Sequence, residues 1–245
     1  MFQRFGAPGL ALAVSACALT ATTHAASPAA GAGFKPDATM LQFPDISADR
    51  IVFVYGNDLW TVARTGGVAQ LLASPPGKEY FPKFSADGSM IAFTGNYEGD
   101  SDVYAIPTNG GISRRVTHHP ARELVTDWSP DGRIIFYANG QNGLARQESV
   151  FLASPNGGMP ERLPMAYGAT ATISPDGQWV AYTPWTRDFR TWKRYRGGWA
   201  SDIWLFNLKD HTSKRITDWE GTDTIPMWHG STLYYLSDNG PEHRL

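Results

Sequence analysis

The chain is 245 residues long, with 21 basic and 23 acidic residues and a formal net charge of −2 at neutral pH. That balance argues against nucleic acid as a bulk electrostatic partner. The single cysteine, Cys17, excludes an internal disulfide, and its loss with the leader described next would leave no thiol for a metal.

Met1 to Arg4 supplies one positive charge, and Gly6 to Leu19 supplies an apolar run too short to span a bilayer. This layout predicts a signal peptide over residues 1–25, with small residues around Thr23-His24-Ala25 marking cleavage after Ala25 or Ala26. Export to the periplasm, or secretion, follows. Gly6, Pro8 and Gly9 argue against a buried helix here. An alternative is that Val14-Ser15-Ala16-Cys17 acts as a lipoprotein processing box, with Cys17 acylated and the protein tethered to a membrane. Residues 26–40, rich in Ala, Gly and Pro, are expected to form a flexible lead.

From Leu41 onward one pattern recurs: a large apolar residue, Ser, a gap, Asp, an apolar triplet, a turn, then Asp before an apolar-aromatic pair. The copies open at Ile46-Ser47, Phe84-Ser85, Trp128-Ser129 and Ile173-Ser174, with their serines separated by 38, 44 and 45 residues. Such a period of about 40–50 residues is that of propeller blades. Ser-Pro-Asp-Gly at 129–132 and 174–177 is a tight turn in which Pro presets φ and Gly accepts a positive one. The triplets Ile91-Ala92-Phe93, Ile135-Phe136-Tyr137 and Val180-Ala181-Tyr182 predict strands. Asp58 to Val62, Asp102 to Ile106 and Asp202 to Phe206 predict the next strands. Gly66-Gly67, Gly110-Gly111 and Gly157-Gly158 turn the chain into last short strands such as Arg114 to Thr117 and Lys214 to Thr217.

The fold class is therefore all-β, a β-propeller of four-stranded antiparallel blades. A β-sandwich would not need the same turn every forty-odd residues. Blades are placed at about 41–75, 79–118, 124–165, 168–217 and 218–245, the last incomplete: Ile225 to Trp228 and Leu233 to Leu236 open it, and a third strand is missing. About four and a half blades of an expected six make an incomplete ring, so a truncated product or a fragment of a longer chain is expected.

Glu79 to Ser85, Asp102-Val103-Tyr104, Phe189 to Gly198, Asp218 to Asp223 and Pro226-Met227-Trp228 together resemble the N-terminal six-bladed propeller of tricorn-type proteases. The blade motifs alone also occur in TolB-type and prolyl-oligopeptidase propellers; the Arg-Thr-Trp-Lys-Arg-Tyr-Arg run at 190–196 is the sharper marker. The resemblance implies a large serine peptidase, with further propeller, PDZ and catalytic domains beyond Leu245 as partners, peptides as substrates and a homo-oligomeric parent. It carries no catalytic residue onto this segment, implies no cofactor, and leaves a TolB-like scaffold for an envelope protein as the alternative function.

No Gly-x-Ser-x-Gly elbow occurs. The repeat serines are expected to bond within their turns, and His118-His119 to point to opposite faces of the chain, a poor arrangement for one metal. Glu98, Asp100 and Asp102 could be imagined as calcium ligands, but Asp102 occupies a position that Asp58 and Asp202 fill in other blades. The fourth unit carries an insert over residues 183–201, where Arg187, Arg190, Lys193, Arg194 and Arg196 alternate with Phe189, Trp192 and Tyr195. Basic and aromatic groups together hold carboxylates while stacking on flat groups. Arg190, Trp192, Lys193, Arg194, Tyr195 and Arg196 are thus the candidate contacts to substrate or to another domain, with a plain solvated loop as the third reading.

Overall fold

Each repeat serine closes its own hairpin. In the computed structural model, which describes residues 40–140, 147–186, 188 and 195–240, Ser85 Oγ donates to Asp87 Oδ1 at 2.6 Å and accepts from Met90 N at 3.0 Å. Ser174 repeats this with Asp176 at 2.5 Å and Trp179 N at 2.9 Å, and Ser129 with Asp131 and Arg133 N. Gly88, Gly132 and Gly177 then turn the chain at φ values of 69°, 82° and 71°, where a Cβ is disfavoured. These hydroxyls are therefore turn-formers, as their sequence context indicates.

The hairpins organise five antiparallel sheets, and no helix occurs among the described residues. The first holds β1 (Gln42–Ile46), β2 (Arg50–Tyr55), β3 (Asp58–Ala63) and β4 (Gln70–Ala73). The second holds β5 (Lys78–Phe84), β6 (Met90–Asn96), β7 (Asp102–Pro107) and β8 (Arg114–Arg115). The third holds β9 (Glu123–Trp128), β10 (Ile134–Asn139), β11 (Glu148–Ala153) and β12 (Glu161–Arg162). The fourth holds β13 (Ala171–Ile173), β14 (Trp179–Tyr182), β15 (Trp204–Asn207) and β16 (Ser213–Arg215), and the fifth holds β17 (Asp223–His229) and β18 (Thr232–Ser237). Strand order within every sheet is sequence order, so each is a meander. The first strands of successive sheets contact one another, β1 with β5, β5 with β9, β9 with β13 and β13 with β17. They form the hub of a partial β-propeller.

The outer strands are shorter than their sequence suggests. Arg114 to Thr117 yields only β8, although Val116 N still donates to Val103 O at 2.8 Å. An outermost strand is paired on one side alone, so little holds its ends in register. In β15, an inner strand paired on both sides, Asp202 and Ile203 precede the strand rather than opening it.

The core lies between blades rather than within them. Phe84 packs with Val52, Val54 and Leu59 at the first seam, Trp128 with Ala92, Val103 and Ala105 at the second, and Ile173 with Leu152 and Leu163 at the third. Each of these three residues immediately precedes a repeat serine. Burying such a side chain contributes about 1.5–3 kcal/mol, so the seams carry much of the stability.

A feature absent from the sequence expectations marks the hub strands. Phe43, Phe81 and Ile225 adopt φ values of 50°, 51° and 50°, and each precedes a proline. Pairing slips beside each of them, between Gln42 and Asp45, Tyr80 and Lys83, and Thr224 and Met227. For bulky or β-branched residues this backbone is strained by about 1–3 kcal/mol. The missing proline N–H suits a bulge, where ladder bonding is already broken.

Candidate functional site

The base of the fourth-blade insert is fixed at two points. Trp185 Nε1 donates to Trp199 O at 3.2 Å. Further along, Arg196 Nη1 lies 3.1 Å from Asp238 Oδ2, and its guanidinium sits 4.9 Å from the ring centroid of Trp219. Asp238 is buried, and its other oxygen accepts from Trp219 Nε1 at 2.7 Å and from Thr222 N at 3.0 Å. Burial alone would raise this carboxyl, but bonds from Trp219, Thr222 and Arg196 hold it below its usual range. Gly221 makes room for the cluster: a Cβ there would collide with Asp238, Arg196 and Trp219.

Arg196 therefore binds the insert to the fifth sheet, an arrangement the loop's composition did not reveal. Its neighbour Tyr195 is half-buried. Arg190, Trp192, Lys193 and Arg194 lie outside the described residues.

Buried carboxylates form a second set, at the seams. Glu79, at the start of β5, accepts from Leu59 N of the preceding sheet at 2.6 Å through Oε2 and from the Tyr97 hydroxyl through Oε1. Burial outweighs these bonds and raises its pKa to about 7, with Asp58 adding to the rise. Glu123, at the start of β9, is also raised to about 7 by burial, against the opposing bond from Thr117. Its Oε2 has no hydrogen-bond partner. Both were passed over in the sequence reading; the available signal was an acid directly before an apolar strand, in Lys78-Glu79-Tyr80 and Arg122-Glu123-Leu124.

A third arrangement accounts for the repeated Asp at 102 and 202. Arg115 Nη2 lies 2.9 Å from Asp102 Oδ2 while its Nε donates to Thr117 O at 3.0 Å. The same construction recurs as Arg215 with Asp202 at 2.9 Å and Thr217 O at 2.6 Å. Arg115 also pairs with Glu98, so a guanidinium already occupies the position imagined for calcium. His118 and His119 are exposed, with His119 Nδ1 accepting from Ala121 N at 3.0 Å. No group of three metal-ligating side chains is assembled among the described residues.

Sequential four-stranded meanders about a hub of first strands define the class, a β-propeller. Residues 38–245 match the model of the tricorn protease N-terminal β-propeller domain, and the chain belongs to that family. It is 30% identical over 202 residues to tricorn protease homolog 1 of Streptomyces coelicolor, covering 81% of this chain and 19% of the relative. It is 26% identical to the tricorn protease homolog of Saccharolobus solfataricus, covering 80% and 18%. The chain thus spans about a fifth of the length of these relatives. Among solved structures, tricorn protease superposes with a TM-score of 0.72 at 24% identity, covering 82% of this chain and 20% of that one. A TolB from Agrobacterium tumefaciens gives 0.60 at 20% identity, covering 76% and 65%.

Proposed function

We propose that this segment is the N-terminal propeller of an exported, tricorn-like serine peptidase, where it guides peptide substrates or seats other domains and supplies no catalytic residue. The observation that carries the reading is the family match over the whole described region, combined with relatives of which the chain covers only about a fifth. The repeat serines support the non-catalytic part, because their hydroxyls are engaged with the turn aspartates. A serine nucleophile instead needs a base within reach and donors for the oxyanion. Anchoring of the insert at Trp199 and Arg196 supports a positioned contact platform rather than a plain solvated loop.

The test is twofold. Purified segment is assayed on a mixed fluorogenic peptide library with a serine-directed fluorophosphonate probe; no turnover and no labelling are expected. In the complete protein, neutralising Arg190, Lys193 and Arg194 should weaken peptidase activity or assembly. Probe-sensitive turnover by the segment would overturn the non-catalytic assignment, and an unchanged complete protein would reduce the insert to a solvated loop.

The TolB-like fold supports a second reading, a non-enzymatic scaffold for an envelope protein. The reading frame past Leu245 separates the two, since only the first requires PDZ and serine-peptidase regions in frame. Export is tested by mass spectrometry of the mature N-terminus: a start at Ala26 or Ser27 supports it, an acylated Cys17 shows the lipoprotein form, and intact Met1 to Ala25 rejects it.

A further inference from the structure

The first three seams are filled by residues at one repeat position, and they are filled unequally. Phe84 closes the first and Trp128 the second, where its Nε1 also donates to Lys83 O at 2.8 Å. At the third the position holds Ile173, a smaller and non-aromatic side chain. A groove of about 500 Å³ lies there, between the third and fourth sheets. Its apolar lining comes from Leu152, Leu163, Ile173 and Leu208. That volume falls within the range of about 300–1,000 Å³ usual for ligand pockets.

The rim has a definite sign. Arg133 bridges Asp131 at 2.7 Å and Glu161 at 2.6 Å, and Asp176 stands on the opposite wall. The groove lining thus carries three carboxylates and one guanidinium, two of the carboxylates paired with it. Asp131 and Asp176 are held below the usual carboxylate range: bonds from Arg133 and Ser129 outweigh burial at the first, and bonds from Ser174 and Gln178 N act at the second. Both are therefore charged at neutral pH. An apolar floor beneath an acidic rim selects against anionic and purely polar occupants.

We propose that the groove between the third and fourth blades is a binding site for a short extended peptide segment in which aliphatic residues adjoin lysine or arginine. The aliphatic side chains occupy the space that an aromatic residue fills at the two preceding seams, and the cationic end meets Asp131, Glu161 and Asp176. The site is separate from the fourth-blade insert and does not depend on the peptidase reading.

Fluorescence polarisation with the full chain tests this, using fluorescein-labelled Leu-Leu-Lys-Lys-amide, Leu-Leu-Glu-Glu-amide and Ser-Gly-Lys-Lys-amide. Saturable binding of the first alone is expected, weakening with added salt as screening predicts. Glu161→Gln should weaken it by about threefold, as for a partly exposed charge. Ile173→Trp, which installs the residue found at the preceding seam, should abolish binding while keeping the wild-type unfolding midpoint. Should that variant unfold early, Leu208→Trp fills the groove from the other wall and is expected to do the same. Crosslinking of a photo-leucine analogue of the peptide should map to Leu152, Leu163 or Leu208. Equal binding of the acidic peptide, binding that survives both filling variants, or no saturation by about 1 mM would overturn the proposal.

Discussion

Glu79 of the second blade accepts the backbone N–H of Leu59 in the first at 2.6 Å, so a carboxyl group and a strand edge from different blades complete each other. The bond spans a seam that Phe84 N and Asp45 also bridge, with Leu59 fully buried beside Phe84.

That placement predicts an unusual pH dependence. Glu79 and Glu123 are each raised from 4.5 to about 7 in the folded chain. Below pH 4.5 they are neutral whether folded or not, and the fold bears no penalty. Between pH 4.5 and 7 the unfolded state ionises while the folded state keeps its buried proton, so stability falls across that window and the loss is complete once pH has risen through 7. Thermal unfolding should therefore show a higher midpoint near pH 5 than near pH 8, by an amount on the order of 2 kcal/mol per group. Glu79→Gln should flatten its share of the slope. A midpoint that climbs between pH 5 and pH 8 in the wild type would refute this assignment.

Removing Asp238 should loosen the seam between the fourth and fifth sheets. Asp238→Ala leaves Thr222 N, Trp219 Nε1 and Arg196 without their shared acceptor, and because Arg196 is partly exposed the loss should be about 1–3 kcal/mol, that of unsatisfied donors. Hydrogen exchange should accelerate in β17 and β18 and leave β5 to β7 unchanged. Arg196→Lys keeps the charge but not the planar stacking on Trp219, and should cost less.

Trp128 is the largest single seam plug. Trp128→Leu opens a cavity and strands Lys83 O, and should destabilise by about 3 kcal/mol. Urea unfolding measures it, with an unchanged m-value expected if only stability is affected. Ile173→Val at the corresponding third-seam position should cost only about 1 kcal/mol.

The turn serines separate a structural from a catalytic role. Ser85→Ala removes bonds to Asp87 and Met90 N and should cost about 1 kcal/mol. Peptide turnover by the complete protein should be unaffected by Ser85→Ala or Ser174→Ala at temperatures where the fold holds. Loss of turnover without loss of stability would assign these hydroxyls to chemistry.

The period, the turns and the middle strands of each blade were legible because they are written locally: Ser, Asp and Gly act on their own hairpin, and apolar triplets announce buried strands. Cross-blade relationships were not. Glu79 reads as a polar strand end until Leu59 is placed opposite it, and Arg196 reads as one more loop cation until Trp219 and Asp238 arrive from 23 and 42 positions further on. The hub bulges at Phe43, Phe81 and Ile225 were equally hidden, since an X-Pro pair within a strand marks an edge or irregularity without giving its geometry.

The bonds across the seams join neighbours along the chain: Leu59 to Glu79, Phe84 N to Asp45, Trp128 to Lys83, and Thr172 to Asp127. Such contacts keep loop closure short. A blade that has just left the ribosome can therefore be buttoned to the one before it as soon as its own first two strands emerge. Assembly in the order of translation would then give each new blade a completed neighbour to pack against.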